Sequence, residues 1–324
     1  MPAAPPDVGD LVRRAREGSP RAVAQLVSLV EDAGPHARDV AAALAPHTGQ
    51  ARVVGLTGSP GVGKSTSTSA LVTALRAQQL RVGVLAVDPS SPFTGGALLG
   101  DRVRMSEHAT DPGVFIRSMA TRGHLGGLSA ATPQALRVLD AAGCDVVLLE
   151  TVGVGQSEIE VVALADTTVV LLAPGMGDGV QATKAGILEV ADVLVVNKAD
   201  REGADATVRE LQHALSLTRR DGGSAGSWRT PVVRTVAARG EGIDDVLAAL
   251  DAHRDAMVAA GRGDEGRRRR AGAEVEAIAL AELRARLRGV SGSTALEALA
   301  ADVAAGSLDP FAAADRLRAA IGTT

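Results

Sequence analysis

Residues 58–65 read Gly58-Ser59-Pro60-Gly61-Val62-Gly63-Lys64-Ser65, directly after the apolar run Arg52-Val53-Val54-Gly55-Leu56-Thr57. The apolar run predicts a buried strand, and the segment from Thr66 to Gln79 predicts a helix. A loop of the form G-x-x-x-x-G-K-[ST] between a strand and a helix is typical of a phosphate-binding loop. Its glycines let backbone N–H groups turn toward a polyphosphate, and the helix N-terminus adds partial positive charge. The sequence therefore predicts nucleoside triphosphate binding, with Lys64 at the β- and γ-phosphates and Ser65 as a ligand of Mg²⁺.

A second motif, Asn197-Lys198-Ala199-Asp200, follows the apolar run Val193–Val196 and indicates that the nucleotide carries guanine. A carboxylate at Asp200 can accept from guanine N1–H and from the exocyclic amine, a pair of donors that adenine cannot offer. We expect Asn197 to tie this loop to the phosphate-binding loop, and the aliphatic stem of Lys198 to cover the purine face. Because a polar site left without its partner is costly, such a site discriminates strongly between bases.

A candidate for a second guanine loop reads Thr235-Val236-Ala237-Ala238-Arg239-Gly240-Glu241-Gly242. In GTPases this loop usually reads Ser-Ala, and its backbone N–H donates to guanine O6. Here Val stands at the Ser position, so the side-chain hydrogen bond is lost, while the backbone donor at the following alanine is retained. The predicted nucleotide-binding residues are therefore Gly58, Ser59, Pro60, Gly61, Val62, Gly63, Lys64, Ser65, Thr66, Asn197, Lys198, Asp200 and Ala237.

Three acidic residues lie at the carboxyl ends of predicted strands or in the loops there: Asp88, Asp101 and Glu150. Ligands of open α/β sheets bind at that edge, and Mg²⁺ prefers oxygen ligands while usually keeping some waters. We assign Asp88 and Glu150 to the metal or its waters, and Asp101 to the metal or the attacking water. The predicted catalytic residues are thus Lys64, Asp88, Asp101 and Glu150, and the predicted metal ligands are Ser65, Asp88, Asp101 and Glu150.

The composition excludes several classes of partner. A net charge of −4 gives no electrostatic reason to expect nucleic acid or an anionic membrane as a partner, and 1% aromatic residues leave no platform for base stacking. No apolar run approaches the length of a membrane span. The N-terminal residues lack the basic and apolar regions of a signal peptide, so we expect a cytoplasmic protein. The single cysteine, Cys144, is expected to be a buried structural thiol.

The chain divides by pattern into three segments: a helical extension over 1–50, a nucleotide-binding domain over 51–260 and a C-terminal helical arm over 261–324. The middle segment alternates apolar runs with helix-compatible stretches, which predicts an α/β fold with a mostly parallel central sheet flanked by helices. Helical periodicity covers Asp10–Glu31 and His36–Ala45. Further strands are predicted at Val82–Val87, Val146–Leu149, Val169–Leu172, Val193–Val196 and Val232–Val236.

Several other residues have competing interpretations. His108 and His124 lack metal-ligand companions, so we expect packed or exposed side chains. Arg117 lies near the end of another strand, where contact with phosphate, with a partner or with neither is open. The run Arg267–Arg270 is interpreted as a solvated helix start rather than as a contact for acidic partners. In the C-terminal arm an apolar stripe is formed by Ala277, Leu280, Leu283 and Leu287.

The stretches Asp88–Met105, Glu150–Glu158 and Gly175–Gly186 resemble the MeaB/ArgK family of P-loop GTPases, which includes the methylmalonic aciduria type A protein. The resemblance implies a P-loop fold of the SIMIBI type and GTP, GDP and Mg²⁺ as ligands. It also implies a chaperone that gates adenosylcobalamin delivery to an acyl-CoA mutase and protects that mutase. Family members are typically homodimers whose C-terminal helices contribute to the dimer. By the same resemblance, Gln181 and Lys184 belong to an extra switch that meets the partner.

The third GTPase motif predicts slow hydrolysis. Many small GTPases place a water-orienting Gln directly after the Gly of this motif. Here Val154 takes that place and Gln156 comes two residues later, and no arginine finger is identifiable in the chain. We therefore expect a slow intrinsic rate that rises when a partner orders the loops.

Three alternatives are weaker. A nickel-insertion GTPase needs Cys/His clusters, which one cysteine and scattered histidines do not supply. An ArgK-type protein kinase needs a site for the phosphoryl acceptor, and none is evident. A noncatalytic binding module would require GTP binding without turnover. Methylmalonyl-CoA mutase is the default client, and isobutyryl-, ethylmalonyl- and hydroxyisobutyryl-CoA mutases remain open.

Overall fold

The computed structural model describes residues 6–32, 36–88, 105–120, 131–151, 163–175, 187–218, 228–291 and 294–321. Residues singled out from the sequence that lie outside these ranges are Asp101, His124, Val154, Gln156, Gln181 and Lys184. Among the described residues, no helix combines the length and the apolar character needed to cross a bilayer.

Seven parallel strands form one sheet in the order β3-β2-β4-β1-β5-β6-β7. The predicted α/β fold with a parallel central sheet is confirmed. β1, which precedes the glycine-rich loop, lies in the middle of the sheet between β4 and β5. The strands are β1 Arg52–Thr57, β2 Val82–Asp88, β3 Val114–Ala120, β4 Val146–Thr151, β5 Thr167–Leu172, β6 Val193–Val196 and β7 Val232–Arg234.

Helices cover the sheet because the central strands are apolar on both faces. β4 and β5 are buried along their whole length, as expected for strands of a parallel sheet between two helical layers. The helices are α1 Val8–Arg16, α2 Pro20–Glu31, α3 Ala37–Leu44, α4 Lys64–Ala77, α5 Thr132–Ala141, α6 Ile187–Val190, α7 Ala204–Thr218, α8 Ile243–Ala259, α9 Glu265–Ser291, α10 Thr294–Ala304 and α11 Pro310–Ile321.

The N-terminal extension contains a break inside the predicted helical segment Asp10–Glu31. Gly18 adopts φ +93°, a left-handed conformation that ends a helix at little cost for glycine. Ser19 then caps α2 by accepting a hydrogen bond from Ala22 N, and Pro20 occupies the first turn of α2. The local signal Gly-Ser-Pro therefore overrides the continuous apolar periodicity.

Arg117 links the extension to the sheet. It lies on β3 and forms an ion pair with Glu31 and a 3.2 Å hydrogen bond with Ser28 Oγ, both on α2. The contact with phosphate or a partner that the sequence left open is therefore not what the structure shows for this side chain. Its guanidinium instead fastens α2 to the outermost strand at one side of the sheet.

The arginine run lies at the start of α9 and its first three residues are exposed, in line with the sequence interpretation, although two of its four guanidinium groups also contact the chain before β5. Arg269 donates to Ala165 O at 2.7 Å, and Arg270 donates to Leu164 O at 3.2 Å and pairs with Asp166. Carbonyl groups at the end of a helical turn need donors from elsewhere. These two guanidinium groups supply them, so half of the run docks on the chain just before β5.

The chain divides into two compact units, residues 1–271 and residues 272–324. The second unit holds the rest of α9 together with α10 and α11. Two residues of the predicted apolar stripe, Leu280 and Leu283, are 43% and 54% exposed, and Val275 is 67% exposed. This unit therefore presents large apolar side chains to solvent.

Cys144 is a buried structural thiol, as predicted. It lies between α5 and β4, and burial raises the pKa of the thiol to about 12. Because the thiolate is the reactive species, we expect negligible labelling of the folded protein by a thiol reagent at pH 8. Labelling in denaturant should reach one thiol per chain, and rapid labelling of the native protein would contradict the burial.

Candidate nucleotide-binding site

The glycine-rich loop is shaped by close backbone approaches. Gly58 has φ +141° and Gly63 has φ +96°, both in the left-handed region that side chains rarely adopt. A Cβ on Gly58 would collide with the carbonyl oxygen of Leu171 on β5, and a Cβ on Gly63 would collide with Asn197 Nδ2. Both positions therefore require glycine, and the loop is pressed between β1, β5 and the segment after β6.

Lys64 begins α4 and is only 8% exposed. Its Nζ donates to Gly58 O at 2.6 Å and to Ser59 O at 3.2 Å, so the ammonium lies over the loop. The loop also opens onto the N-terminus of a 14-residue helix, where backbone N–H groups and the helix dipole favour an anion. The lysine, the loop and the helix together form a cradle for phosphate groups.

Glu150 reaches from the end of β4 to the first turns of α4. Ser65 Oγ donates to Glu150 Oε1 at 2.7 Å, and Thr68 Oγ1 lies 2.9 Å from Oε2. All three side chains are buried. Hydroxyl and carboxylate oxygens are the donors that Mg²⁺ prefers, so the pair Ser65 and Glu150 fits a magnesium ion held beside the phosphates.

Thr68 is a site residue that the sequence reasoning missed. It lies one helical turn beyond Lys64, whose carbonyl oxygen is 3.0 Å from Thr68 Oγ1. Residues three positions apart share a helix face, so the spacing of Ser65 and Thr68 could have signalled a shared acceptor. The carboxylate of Glu150 is thus fixed by two hydroxyl groups.

Asp88 ends β2 at the same edge of the sheet. The register pairs Val87 with Thr151, so Asp88 lies one residue beyond that pair and near the end of β4. The backbone therefore brings Asp88 and Glu150 to neighbouring strand ends, while the side chain of Asp88 lies outside the described part of the structure. Asp101, also assigned to this site, lies outside the described residues.

Asn197 joins three loops at the end of β6. Its Nδ2 donates to Val62 O in the glycine-rich loop at 2.8 Å. Its Oδ1 accepts from Thr235 Oγ1 at 3.2 Å and from Ala237 N at 3.1 Å. The N–H of Ala237, expected from the sequence to face guanine O6, is therefore engaged by the Asn197 amide, because that amide needs donors for its own buried oxygen.

Lys198 and Asp200 are the two residues expected from the sequence to contact the base. Lys198 adopts φ +56°, unusual for a residue other than glycine, and its Nζ donates to Gly61 O at 2.5 Å. Asp200 is exposed, and its Oδ2 accepts from Arg239 Nη1 at 3.3 Å. The motif thus places one lysine against the phosphate-binding loop and one accessible carboxylate beyond it.

Replacing Asn197 with alanine should lower the free energy of unfolding by about 2–4 kcal/mol, because buried polar groups on two other loops lose their partner. The exposed neighbour Asp200→Ala is the control and should change stability by less than about 0.5 kcal/mol. Urea denaturation followed by circular dichroism measures both. Equal stability of the two variants would show that Asn197 is not the structural link described.

His108 is a packed histidine, one of the two outcomes expected for it. The side chain is buried against α4, with Nε2 3.1 Å from Ser69 Oγ and 3.2 Å from Ser69 O. This contact holds the short turn Ser106–His108 to the helix that follows the glycine-rich loop. His108 therefore packs this turn against α4 and does not act as a metal ligand.

A cavity of about 730 Å³ lies at the opposite, amino edge of the sheet. His253 is one of the residues that line it; His253 Nε2 is 3.3 Å from Asp192 Oδ1 and its Nδ1 is 2.8 Å from Thr167 Oγ1. Burial lowers the pKa of His253 and raises the pKa of Asp192. The cluster joins β5, β6 and α8, and the sheet separates it from the glycine-rich loop.

The chain is similar to known proteins over most of its length. The profile of the family described as "Methylmalonyl Co-A mutase-associated GTPase MeaB" matches residues 23–291. A putative GTPase of Pyrococcus abyssi is 48% identical over 310 residues, covering 96% of this chain and 95% of the relative. The mitochondrial methylmalonic aciduria type A homolog of Mus musculus is 42% identical over 211 residues, covering 64% of this chain and 50% of the relative.

A solved structure extends the likeness to the fold. The crystal structure of an LAO/AO transport system kinase superposes with a TM-score of 0.70 and 26% sequence identity, covering 99% of this chain and 100% of that chain. The sequence profile and the superposition together cover the glycine-rich loop, the Asn197 loop and the sheet that carries them.

Proposed function

The chain belongs to the family of methylmalonyl-CoA mutase-associated GTPases (MeaB), and from that premise we propose that it is a GTP-hydrolysing chaperone of an adenosylcobalamin-dependent acyl-CoA mutase. Its hydrolysis of GTP to GDP and phosphate gates delivery of the cobalamin cofactor to the mutase, which it also protects. Methylmalonyl-CoA mutase is the proposed client, because the family profile and the mouse relative are both named for methylmalonyl metabolism.

The arrangement of Lys64, Ser65 and Glu150 is the observation that carries the enzymatic part. A buried lysine lies over a glycine-rich loop, and a hydroxyl and a carboxylate meet 2.7 Å apart beside it. The loop N–H groups and Lys64 bind and orient the phosphates of GTP. Ser65 and Glu150, with Asp88 and Asp101, would hold Mg²⁺ or its waters, and the ion would supply positive charge to the phosphates.

The base is held by the loops that follow β6 and β7. Asp200 accepts from the two guanine donors, while Lys198 covers the purine face. Asn197 holds both loops to the phosphate-binding loop through Val62 O and Ala237 N. Because one buried amide connects base and phosphate sites, binding of the base positions the phosphates against Lys64.

Hydrolysis is proposed to be slow until the mutase binds, since the third motif has Val154 where many GTPases have a water-orienting Gln. Gln156, Gln181 and Lys184 are the proposed contacts with the partner. The chain is proposed to act as a cytoplasmic homodimer through its C-terminal arm, and the exposed Val275, Leu280 and Leu283 support that role for the arm.

Affinity capture from the native host tests the identity of the client. Tagged protein loaded with GDP, or with a non-hydrolysable GTP analogue, should retain a cobalamin-dependent acyl-CoA mutase, and the amount retained should differ between the two nucleotides. The matched control is Lys64→Ala, whose capture should no longer depend on the nucleotide. Absence of any such mutase from both captures would contradict the proposal.

A further inference from the structure

The loop after β7 is a closed turn that brings Arg239 and Glu241 side by side. Val236 and Glu241 form an isolated antiparallel bridge, with Val236 N donating to Glu241 O at 3.0 Å. Gly240 makes the reversal possible with φ +72°. The backbone of this loop is therefore fixed, although Arg239 and Glu241 themselves are exposed.

One edge of the Arg239 guanidinium is hydrogen bonded to Glu241, and its remaining amino group faces Asp200. Its Nε donates to Glu241 Oε1 at 2.7 Å and its Nη2 donates to Oε2 at 3.2 Å. Because the guanidinium is planar and rigid, fixing that edge also fixes the direction of Nη1. Nη1 points to Asp200, with its donor 3.3 Å from Oδ2.

The electrostatics of this cluster agree with the geometry. The hydrogen bonds from Arg239 hold the pKa of the Glu241 carboxyl below its ordinary value. The same contacts, together with Asp200, raise the pKa of Arg239. Glu241, Arg239 and Asp200 therefore form a chain of alternating charges that ends at the proposed guanine site.

We propose that Arg239 is a specificity-determining positioning residue that orients the Asp200 carboxylate toward the two donors of guanine. The proposal rests on the guanine site proposed above and adds the residue that sets its geometry. A carboxylate has about four lone-pair positions, so it can accept from Arg239 and still accept from guanine N1–H and the amine. Apart from the contact with Arg239, the Asp200 carboxylate can rotate in solvent, since the side chain is 41% exposed.

The physical effect of Arg239 depends on how many contacts the base makes. A two-point contact needs both carboxylate oxygens in the plane of the base, so a freely rotating carboxylate loses more entropy in forming it. A one-point contact tolerates many orientations. Inosine lacks the exocyclic amine and makes only the N1–H contact, so ITP should depend less on Arg239 than GTP does.

The test compares dissociation constants for GTP and ITP in the full chain and its variants. Arg239→Ala should weaken binding of GTP more than binding of ITP. The ratio of the two dissociation constants should change by roughly three- to fivefold, as expected for loss of an exposed ion pair. Glu241→Ala should reduce the preference in the same direction, because the guanidinium loses its hold. Arg239→Lys should not restore it, since an ammonium cannot bond both carboxylates as the planar fork does.

Arg234→Ala is the matched control, because Arg234 is a nearby exposed arginine that pairs with Asp205 instead. It should leave the GTP to ITP ratio unchanged. Equal weakening of GTP and ITP in Arg239→Ala, an unchanged ratio in that variant or in Glu241→Ala, or full rescue by lysine would each overturn the proposal. A wild-type protein without any preference for GTP would instead overturn the guanine site itself.

Discussion

Replacing Lys64 with alanine is expected to lower the rate of GTP hydrolysis by about 10²- to 10³-fold, the usual loss for one preorganised charge-stabilising donor. Its ammonium already lies over the glycine-rich loop, 2.6 Å from Gly58 O, in a largely buried position. There it can share its protons with phosphate oxygens on which charge develops. Steady-state phosphate release, corrected for the folded fraction by circular dichroism, measures the effect.

Lys198→Ala is the matched control for Lys64→Ala. Both lysines donate to carbonyl groups of the same loop, but Lys198 contacts Gly61 O at the base side of the site. Its removal should raise KM through weaker base binding and leave kcat nearly unchanged. If Lys64→Ala kept the wild-type kcat, or if the two variants behaved alike, the assignment of Lys64 to the phosphates would be wrong.

Replacing Asp200 with asparagine should weaken GTP binding by about 100-fold or more and improve binding of xanthosine triphosphate. The asparagine amide presents donors to the guanine amine, so two donors face each other without an acceptor. Xanthine has a carbonyl at that position, which accepts a hydrogen bond from the asparagine amide. Equilibrium binding of fluorescent GTP and xanthosine analogues measures the switch.

Asp205→Asn provides the control for the Asp200 substitution. Asp205 lies at the start of α7 and pairs with Arg234, away from the proposed base position. This variant should bind GTP as the wild type does and should not gain affinity for xanthosine. Retention of tight GTP binding by Asp200→Asn would refute the role of Asp200 in base selection.

The sequence was sufficient to predict the sheet and the loop at its centre. Continuous apolar runs such as Val146–Leu149 can be buried only between two layers, and the G-x-x-x-x-G-K-S spacing has few other uses. Glu150 ends an apolar run, and ligands of such sheets bind at the carboxyl ends of the strands, which predicts Glu150 at the site. Its place beside β1 is shown by the structure, where Glu150 pairs with Leu56. Strand β3, with mostly half-buried residues, gave a weaker apolar signal and was noted only through Arg117.

Contacts between distant segments were beyond prediction from local pattern. Thr68 joins Glu150 because α4 packs over β4, and Arg269 docks on Ala165 across more than 100 residues of chain. The conformation of the loop at Ala237 also depends on a residue distant in sequence, because Ala237 N–H donates to the buried Oδ1 of Asn197. These pairings depend on three-dimensional packing, whereas helix breaks such as Gly18 were readable locally and were overlooked.

Single-turnover hydrolysis of GTP, with protein in excess and with or without the host's methylmalonyl-CoA mutase, tests the central claim most directly. We expect slow hydrolysis by the isolated protein and a rise of at least about tenfold when the mutase is present. Lys64→Ala should show no such rise. Fast hydrolysis by the isolated protein, or a rate that no cobalamin-dependent acyl-CoA mutase increases, would contradict a partner-stimulated GTPase.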